Sequence, residues 1–397
     1  MYPRALDVRL GALAEKEKRM DLTKIKEYVE AHMEELYALH REVCLIPAPS
    51  HHEERRAAYV KAWFDENLGE GAYIDEALNV VFPYGACENS ITVFAAHSDI
   101  VFPDMEYPMP FSDDGTYLRC PGVGDDTASL AVLMLAAKYC VENRISAPSG
   151  VLFVANSCEE GLGNLKGVRR LFADYEGRIK QFVTFDAKLP GITRGCVGSH
   201  RYEVEVLTEG GHSWGAFGNK NAIAELAKIA AKIYEIELPQ KEGCRVTYNI
   251  GKIEGGTSVN TIAQSAKMLC EYRSDDLELI EFMKARFEEI FASAANDEVK
   301  VNVTKVGDRP CMGFIPEGRQ EALVERATRV LEEVIGEAVR YGKGSTDCNI
   351  PLSIGIPAIS VGVYKGGGTH TREEWVEKAS MRPGLEFGIA LILDLIS

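Results

Sequence analysis

The chain has 397 residues, 46% of them apolar and 26% charged, and its formal net charge is −16. This length predicts two or three domains with sizeable cores, and the acidic excess without a long basic cluster argues against nucleic acid as a partner. The N-terminal stretch is too charged for a signal peptide, and no apolar run is long enough to span a bilayer. The ten cysteines show no CxxC pair or regular spacing. We therefore expect a cytoplasmic protein with reduced thiols, no disulfide framework and no membrane partner.

The chain begins with a segment of no clear tertiary role, residues 1–20, and the first predicted helix follows Asp21, a typical N-cap. This helix runs to about residue 43 and presents one apolar face: Ile25, Val29, Met33, Leu36 and Leu39. In the loop IPAPSHHEE, Ser50 is a candidate cap for a second helix that runs to about residue 67. The adjacent His51 and His52 are more typical of solvated side chains than of metal ligands.

Strand, turn and helix then alternate, and a carboxylate or a histidine follows most of the strands. Short strands are predicted near residues 78–83 and 91–97, and a helix that is apolar almost all round follows the turn GVGDD. The segments GVLFVANS and QFVTFDA are continuous apolar strands, the pattern of a buried sheet centre. This order predicts an α/β fold with a mixed sheet and helices on both faces. The polar residues at these strand ends and turns are His97, Asp99, Asp125, Asp126, Glu159, Glu160 and Asp186.

The pattern changes near residue 198, where continuous apolar strands give way to alternating ones. The following predicted elements have the order β-α-β-β-α-β, which is typical of a ferredoxin-like α+β domain. From about residue 309 the α/β pattern returns, and the Gly-rich loop GGGTHTREEW carries His370. We therefore expect the main domain to comprise residues 1–198 and 308–397, with an inserted ferredoxin-like domain at 199–307.

The polar strand-end residues together offer donors for divalent metal ions. A pair of ions needs two ligand sets and usually a shared carboxylate that holds the ions about 3.5–4 Å apart. Two histidines and three carboxylates suit a zinc pair, although manganese or cobalt would also be accepted. Each residue alone is more often a helix cap or a structural hydrogen-bonding group. The candidate ligands are His97, Asp125, Glu160, Asp186 and His370, with Glu159 beside them.

Cys158 precedes the two glutamates and is a weaker candidate for a catalytic nucleophile. The thiol of such a residue is activated by an adjacent base, usually a histidine. No histidine lies near Cys158 in the sequence. We therefore favour the metal site over cysteine catalysis.

The order of the motifs resembles that of a known family, the co-catalytic zinc exopeptidases. Members of this family include peptidase T, carboxypeptidase G, aminoacylase and succinyl-diaminopimelate desuccinylase relatives. The resemblance covers about residues 40–395. The matching motifs are HSD at 97–99, GVGDD at 122–126, CEEGLG at 158–163, FDA at 185–187, GGHSWG at 210–215, GGTSVNTIA at 255–263 and GGGTH at 366–370.

The resemblance implies a role for each candidate ligand. His97 and Asp186 would hold one metal ion, and Glu160 and His370 would hold the other. Asp125, the first residue of the aspartate pair, would bridge the two ions.

The resemblance also implies roles around the metals. Asp99 would orient a ligand histidine through its other ring nitrogen, and Glu159 would act as the general base. His212, on the inserted domain, would reach the oxyanion that develops on the substrate. Asn260 and Arg273 match positions that often bind a substrate carboxylate or backbone.

The chain departs from many relatives at two places. Thr127 and Ala128 follow the aspartate pair where a Lys-Gly is common, and the His370 loop reads THTREEW without the usual Pro-Asp. Glu374 falls where the family's following glutamate lies. These differences bear on substrate choice more than on metal binding.

The function that the resemblance implies is that of a dinuclear metal-dependent amidohydrolase or exopeptidase that cleaves a small peptide. The alternative within enzymes is an N-acyl amino acid deacylase, and pocket residues such as Ser345, Thr346 and Asp347 would distinguish the two substrates. A third reading is a non-catalytic metal-dependent binding protein, which would have no chemical need for a base at Glu159. Relatives often pair through the inserted domain, so the resemblance also implies a homodimer.

Overall fold

The computed structural model describes residues 21–397, so the expectations for residues 1–20 lie outside the described part of the chain. The first part forms α1 (Leu22–Cys44), α2 (Glu54–Leu68), β1 (Tyr73–Ile74), β2 (Val80–Tyr84), β3 (Ile91–His97), β4 (Ser112–Asp113), β5 (Tyr117–Arg119), α3 (Thr127–Glu142), β6 (Gly150–Asn156), α4 (Lys166–Asp174), β7 (Ile179–Ala187) and β8 (Gly191–Cys196). The middle forms β9 (Gly198–Thr208), β10 (Gly211–His212), α5 (Ala222–Tyr234), β11 (Val246–Gly255), β12 (Thr261–Ile262), β13 (Ser265–Ser274), α6 (Leu277–Ala294) and β14 (Val299–Arg309). The last part forms α7 (Arg319–Ile335), β15 (Arg340–Gly344), α8 (Asn349–Ser353), β16 (Ala358–Gly362), β17 (Gly366–Gly367), β18 (Trp375–Glu377) and α9 (Met381–Ile396).

Eight strands form the main sheet, in the order β1-β2-β6-β3-β7-β16-β8-β15. β3 pairs in parallel with both β6 and β7, and β7 pairs in parallel with β16. In contrast, β2 runs antiparallel to β6, and β8 runs antiparallel to β16. The prediction of a mixed sheet is therefore confirmed.

Helices cover both faces of this sheet, also as predicted. Strand β3 is buried along its whole length, with Phe94 and Ala96 in the core on one face and Val93 and Ala95 in the core on the other. Helices α1, α2, α3, α7 and α9 contribute to the first core, and α4 and α8 contribute to the second. This two-sided burial explains why the central strands read as continuous apolar runs.

The boundaries of the first two helices show one correct and one wrong prediction. Asp21 caps α1, because its side chain accepts a hydrogen bond from the backbone N–H of Lys24. Ser50 does not cap α2, which begins at Glu54 without a side-chain cap. The hydroxyl of Ser50 instead donates to Asp99 at 2.6 Å, because the loop folds back over the end of β3.

Strands β9, β11, β13 and β14 form a separate antiparallel sheet in the order β11-β13-β9-β14. Helices α5 and α6 pack on one face, where Tyr202, Met268 and Phe287 belong to the same core. This is the ferredoxin-like arrangement that the element order predicts. Ser199 pairs with Arg309, so the chain enters and leaves this inserted sheet at the same end.

A small sheet of order β17-β18-β5-β4 was not predicted from the sequence. Its strands have two or three residues each, which is too short for a recognisable period of two. Because β18 pairs with β5, this sheet fastens the loop between β17 and β18 to the segment that precedes the GVGDD turn.

Helix α1 holds the GVGDD turn in place through a buried histidine, His40. The Nε2–H of His40 donates to the carbonyl oxygen of Val123 at 2.7 Å, and Nδ1 is buried with no hydrogen-bond partner among residues 21–397. This pattern suits a neutral imidazole. Burial lowers the pKa of His40 to about 4, since it disfavours the charged form.

We predict that His40 makes the metal-free protein less stable as the pH falls from about 6.5 to 4. In this window the unfolded chain binds a proton at His40 and the folded chain does not, so the free energy of unfolding loses up to about 3 kcal/mol from this residue. His40→Gln keeps an N–H donor and removes the titration. Urea unfolding in EDTA should therefore show a stability difference between wild type and variant that narrows toward pH 4. A difference that stays constant with pH would contradict the burial of a neutral His40.

Candidate metal centre

Parallel strands of the main sheet end side by side and carry the first functional groups. β3 ends in His97, which lies in register with Asn156 at the end of β6. Ala95 pairs with Thr184 of β7, so Asp186, two residues further on, is level with His97. The carboxyl ends of parallel strands are where open α/β sheets bind their ligands. Sheet order alone therefore brings imidazole and carboxylate donors to one edge.

The remaining donors come from turns that the small sheet holds against this edge. Asp125 precedes α3, and its backbone N–H donates to Oε1 of the buried Glu374 at 3.0 Å. His370 lies in the loop between β17 and β18. Its Nε2 is 3.3 Å from Oδ2 of Asp125 and 3.1 Å from Oε1 of Glu160.

The structure brings together all five predicted metal ligands in two groups that share Asp125. One donor atom each of His97, Asp125 and Asp186 lies within 4.8 Å of the others. The same holds for Asp125, Glu160 and His370. Two three-donor groups with a common carboxylate have the composition expected for a pair of metal ions.

The charges of this cluster are not balanced by its own cations. Burial, together with the charge of Asp125, raises the pKa of Asp186 well above its usual range, and burial also raises the pKa of Glu160. Burial alone would lower the pKa of His97, but Asp125 and Asp99 raise it well above its usual range. Protonation of these three side chains is favoured because it reduces the negative charge of the cluster.

Buried oxygen atoms without partners support the fit of metal cations. One carboxylate oxygen each of Asp126, Asp347 and Glu374 is buried and accepts no hydrogen bond from the described residues. Burial raises the pKa of Glu374 to about 7, with a contribution from Asp125. Imidazole and carboxylate donors suit zinc, manganese or cobalt, so the residues present fit two divalent ions.

Asp99 connects the histidine of β3 to the segment that carries the two glutamates. Its Oδ1 lies 3.4 Å from Nδ1 of His97, whose Nε2 is 3.0 Å from Oδ1 of Asp125. The Asp99 carboxylate also accepts hydrogen bonds from the backbone N–H groups of Glu159 and Glu160, both at 2.9 Å. Nδ1–H of His97 also donates to the backbone carbonyl of Asp99 at 3.1 Å, so Asp99 orients the imidazole through its carbonyl and its carboxylate, and the carboxylate fixes the course of the following turn.

Glu159 borders the ligand groups and forms an ion pair that the sequence analysis missed. One of its carboxylate oxygens lies within 4.8 Å of donor atoms of His97 and Glu160. Nη1 of Arg309 donates to Oε1 of Glu159 at 3.0 Å, and both side chains are buried. Burial raises the pKa of Glu159 well above its usual range, and the charge of Arg309 opposes this rise. No motif around Arg309 indicated a place in the site.

Asp347 and Asn156 form a second buried polar contact, a hydrogen bond between their side chains. Nδ2 of Asn156 donates to Oδ2 of Asp347 at 2.6 Å, and both residues are fully buried. Burial raises the pKa of Asp347 to about 6. Asp347, predicted to bind substrate, therefore does not face solvent in this conformation. Its partner could have been suspected, because Asn156 is a polar residue at the end of an apolar strand.

His212 and Asn260 lie at the far end of the inserted sheet, whereas Arg273 pairs with Ser199 at its base. His212 and Asn260 are exposed near the short β10–β12 pair, and Nδ1 of His212 accepts from the backbone N–H of Trp214 at 3.2 Å. Nε of Arg273 donates to Oε1 of Glu271 at 2.8 Å. Within residues 21–397, no hydrogen bond or ion pair joins His212, Asn260 or Arg273 to the metal ligands.

Cys158 has a histidine neighbour after all, but its thiol is not activated. Nδ1 of His51 lies 3.4 Å from Sγ, and the thiol donates to Oε1 of Glu53 at 3.3 Å. Burial and the charge of Glu53 raise the pKa of Cys158 to about 12. A buried thiol beside a carboxylate is a poor nucleophile.

The chain is similar in sequence to proteins of a known family. The sequence model of peptidase family M20/M25/M40 matches residues 93–394. A probable carboxypeptidase of Ajellomyces capsulatus is 25% identical over 260 residues, which cover 58% of this chain and 59% of that protein. The chain thus spans about three fifths of the length of the curated relatives it matches.

Solved structures share the fold. Aminopeptidase PepT from Bacillus cereus superposes with a TM-score of 0.71 at 22% identity, over 92% of this chain and 99% of that one. Human carnosine dipeptidase 1 gives a TM-score of 0.70 at 15% identity, over 94% and 98% of the two chains. None of the helices within residues 21–397 has the length and hydropathy needed to cross a membrane. Because the family model matches most of the chain, the protein belongs to peptidase family M20/M25/M40.

Proposed function

We propose that the protein is a dinuclear metal-dependent exopeptidase or amidohydrolase that hydrolyses the amide bond of a small peptide. The observation that carries this proposal is the pair of donor groups that share Asp125. Membership of a peptidase family supports peptide hydrolysis. The names of the similar proteins, a carboxypeptidase, an aminopeptidase and a dipeptidase, favour a peptide over an N-acyl amino acid as substrate.

The proposed cofactors are two divalent ions, with zinc as the first choice and manganese or cobalt as alternatives. His97 and Asp186 would hold one ion, Glu160 and His370 would hold the other, and Asp125 would bind both. When bound, the ions would polarise the scissile carbonyl and lower the pKa of a water molecule toward neutrality.

Glu159 would move the proton in this reaction. Its carboxylate borders the donors of His97 and Glu160 but does not belong to either group that contains Asp125. A carboxylate oxygen of Glu159 would accept the proton of the attacking water and return it to the leaving amine. Asp99 would hold Nδ1 of His97, so that Nε2 stays directed at the ligand cluster.

The inserted sheet would complete the site as a mobile domain. We propose that residues 199–307 form a separable domain between the two parts of the main domain, 1–198 and 308–397. Strand β9 starts at the main domain and its 11 residues span roughly 33 Å, so His212 lies beyond its far end. Domain closure would bring His212 to the developing oxyanion and Asn260 to the substrate carboxylate or backbone. Arg273, which pairs with Ser199 at the base of the sheet, would bind the substrate carboxylate or backbone from that end.

The far end of the inserted sheet has the character of a contact surface. Trp214, Phe217 and Val259 are exposed there, with at least 88% of their surface accessible. Their loops are joined, because the backbone N–H of Ser213 donates to the carbonyl of Asn260. Exposed apolar clusters commonly mark protein contacts, so we propose a homodimer through this domain. Sedimentation equilibrium that shows only monomer at micromolar concentration would refute it.

We predict different outcomes for the two adjacent glutamates. Glu159→Gln should keep two metal ions per chain and lower kcat by about 10²–10⁴-fold, the usual cost of losing positioned acid–base catalysis. Glu160→Gln, the matched control, should lose affinity for one ion. Elemental analysis gives the metal content, and amine release from di- and tripeptides and N-acetyl amino acids gives kcat. A near-normal kcat in Glu159→Gln would rule out this mechanism, and activity on N-acetyl amino acids alone would rule out a peptide substrate.

We predict that residues of the inserted domain act on the substrate and leave the metals in place. His212→Ala should lower kcat by about 10²-fold, as expected for a lost oxyanion donor. Asn260→Ala and Arg273→Gln should mainly raise KM, because they would remove binding contacts. All three variants should retain wild-type metal content. Loss of a metal ion from His212→Ala would contradict its assignment to the oxyanion.

A further inference from the structure

At its base, where its chain enters and leaves, the inserted sheet forms hydrogen bonds with the turn of residues 158–164, which carries Glu159 and Glu160. Arg201, near the start of β9, donates from Nη1 to the carbonyl of Gly161. At the end of β14, the backbone N–H of Asp308 donates to Oδ1 of Asn164 at 2.8 Å. The inserted sheet is therefore attached to this turn at the point where its chain enters and where it leaves.

Arg309, the last residue of β14, binds Glu159 itself. Its Nη1 donates to Oε1 of Glu159 at 3.0 Å and to the carbonyl of Ser345 at 3.2 Å, and its Nη2 donates to the carbonyl of Glu159. The two side chains are only 5% and 7% exposed. One guanidinium thus holds both the carboxylate and the backbone of the same residue.

This double contact restricts the side chain of Glu159. A glutamate has three rotatable side-chain bonds, and it loses their freedom when its carboxylate and its own carbonyl are bound to one rigid, planar group. A lysine in place of Arg309 could satisfy one of the two oxygen atoms but not fix their relative orientation. The guanidinium geometry therefore selects one direction for the carboxylate.

We propose that Arg309 is a positioning residue that directs the Glu159 carboxylate toward the ligand cluster. Through Arg309, the direction of this carboxylate depends on the position of the inserted sheet. The proposal rests on the function proposed for Glu159. Because Arg309 pairs with Ser199 within the inserted sheet, a rotation of that sheet moves the guanidinium relative to the 158–164 turn. Closure of the inserted domain and orientation of the base are then one mechanical event.

The first test separates kcat, KM and metal content in zinc-reconstituted protein. Arg309→Met should lower kcat about 10- to 100-fold, the usual cost of removing a partner that orients a functional side chain. KM and the number of bound ions should change little, since the hydrogen bonds of the Arg309 side chain within residues 21–397 go to Glu159 and Ser345 and to none of the five candidate metal ligands. Arg309→Lys should recover part of the loss. Arg169→Met is the matched control, because Arg169 also binds the base of the inserted sheet, at the carbonyl of Asp308, and forms no hydrogen bond with Glu159.

The second test needs no activity and reports the contact itself. In metal-free protein, the melting temperatures of Arg309→Met, Glu159→Gln and the double variant form a mutant cycle. If the two side chains interact, the shift of the double variant will differ from the sum of the single shifts. Additive shifts would overturn the pairing. If Arg309→Met does not fold, Arg309→Lys serves in the same cycle and in the kinetic test.

The outcomes distinguish this inference from the proposed function. A normal kcat in the Arg309 variants together with a strongly reduced kcat in Glu159→Gln would overturn the positioning role and leave the proposed function standing. A normal kcat in Glu159→Gln would overturn both. Reduced kcat with unchanged KM and metal content, partial recovery in Arg309→Lys and non-additive melting shifts would establish Arg309 as the positioning residue.

Discussion

Burial of many carboxylates at one edge of the main sheet is the constraint on which the rest of the structure depends. Removing a carboxylate from water costs several kcal/mol unless partners compensate it. Here the charged partners among the described residues are few, namely two histidines and one arginine, and the other partners are neutral donors such as Ser50, Asn156 and backbone N–H groups. The remaining charge explains both the raised pKa values and the suitability of the site for divalent cations.

The scaffold around the cluster holds each donor from outside the ligand set. Asp99 joins a strand end to the glutamate-bearing turn, and Glu374 holds the backbone of Asp125. His40 of α1 binds the turn that contains Asp125, because it donates a hydrogen bond to the carbonyl of Val123. Such supports matter because a ligand set acts only when its donors are pre-oriented. The site is thus a property of five separate segments that the packed cores on the two faces of the main sheet keep in place.

The inserted sheet relates to this site in an unusual way, since its chain enters and leaves at one end. Its contacts with the main unit at this end include the turn that follows β6, where Arg201 and Arg309 bind, and the ion pair of Asp275 with Lys343. A domain attached at a single end can rotate about its attachment with little loss of core packing. Here the attachment includes the residue proposed as the base, so the proposed domain motion and the proposed chemistry would share the contact between Arg309 and Glu159.

The sequence by itself determined the fold class and the ligand-bearing segments of this protein. Continuous apolar runs indicated strands buried on both faces, and alternating runs indicated the second sheet. Polar residues at the ends of most main-sheet strands indicated the edge where His97 and Asp186 meet. These features are local, because they depend on periodicity within a few residues. The ordered motifs added, by resemblance, the proposed division of these residues between two metal ions.

Only the tertiary structure decided which distant side chains touch. Arg309 lies 150 residues from Glu159, and Ser50 lies 49 residues from Asp99. Neither contact follows from local periodicity, because sheet order and loop course set it. For the same reason Ser50 was mistaken for a helix cap. A sequence pattern shows that a residue is polar and where its element ends, but the partner that compensates a buried charge is chosen by the packing of the whole chain.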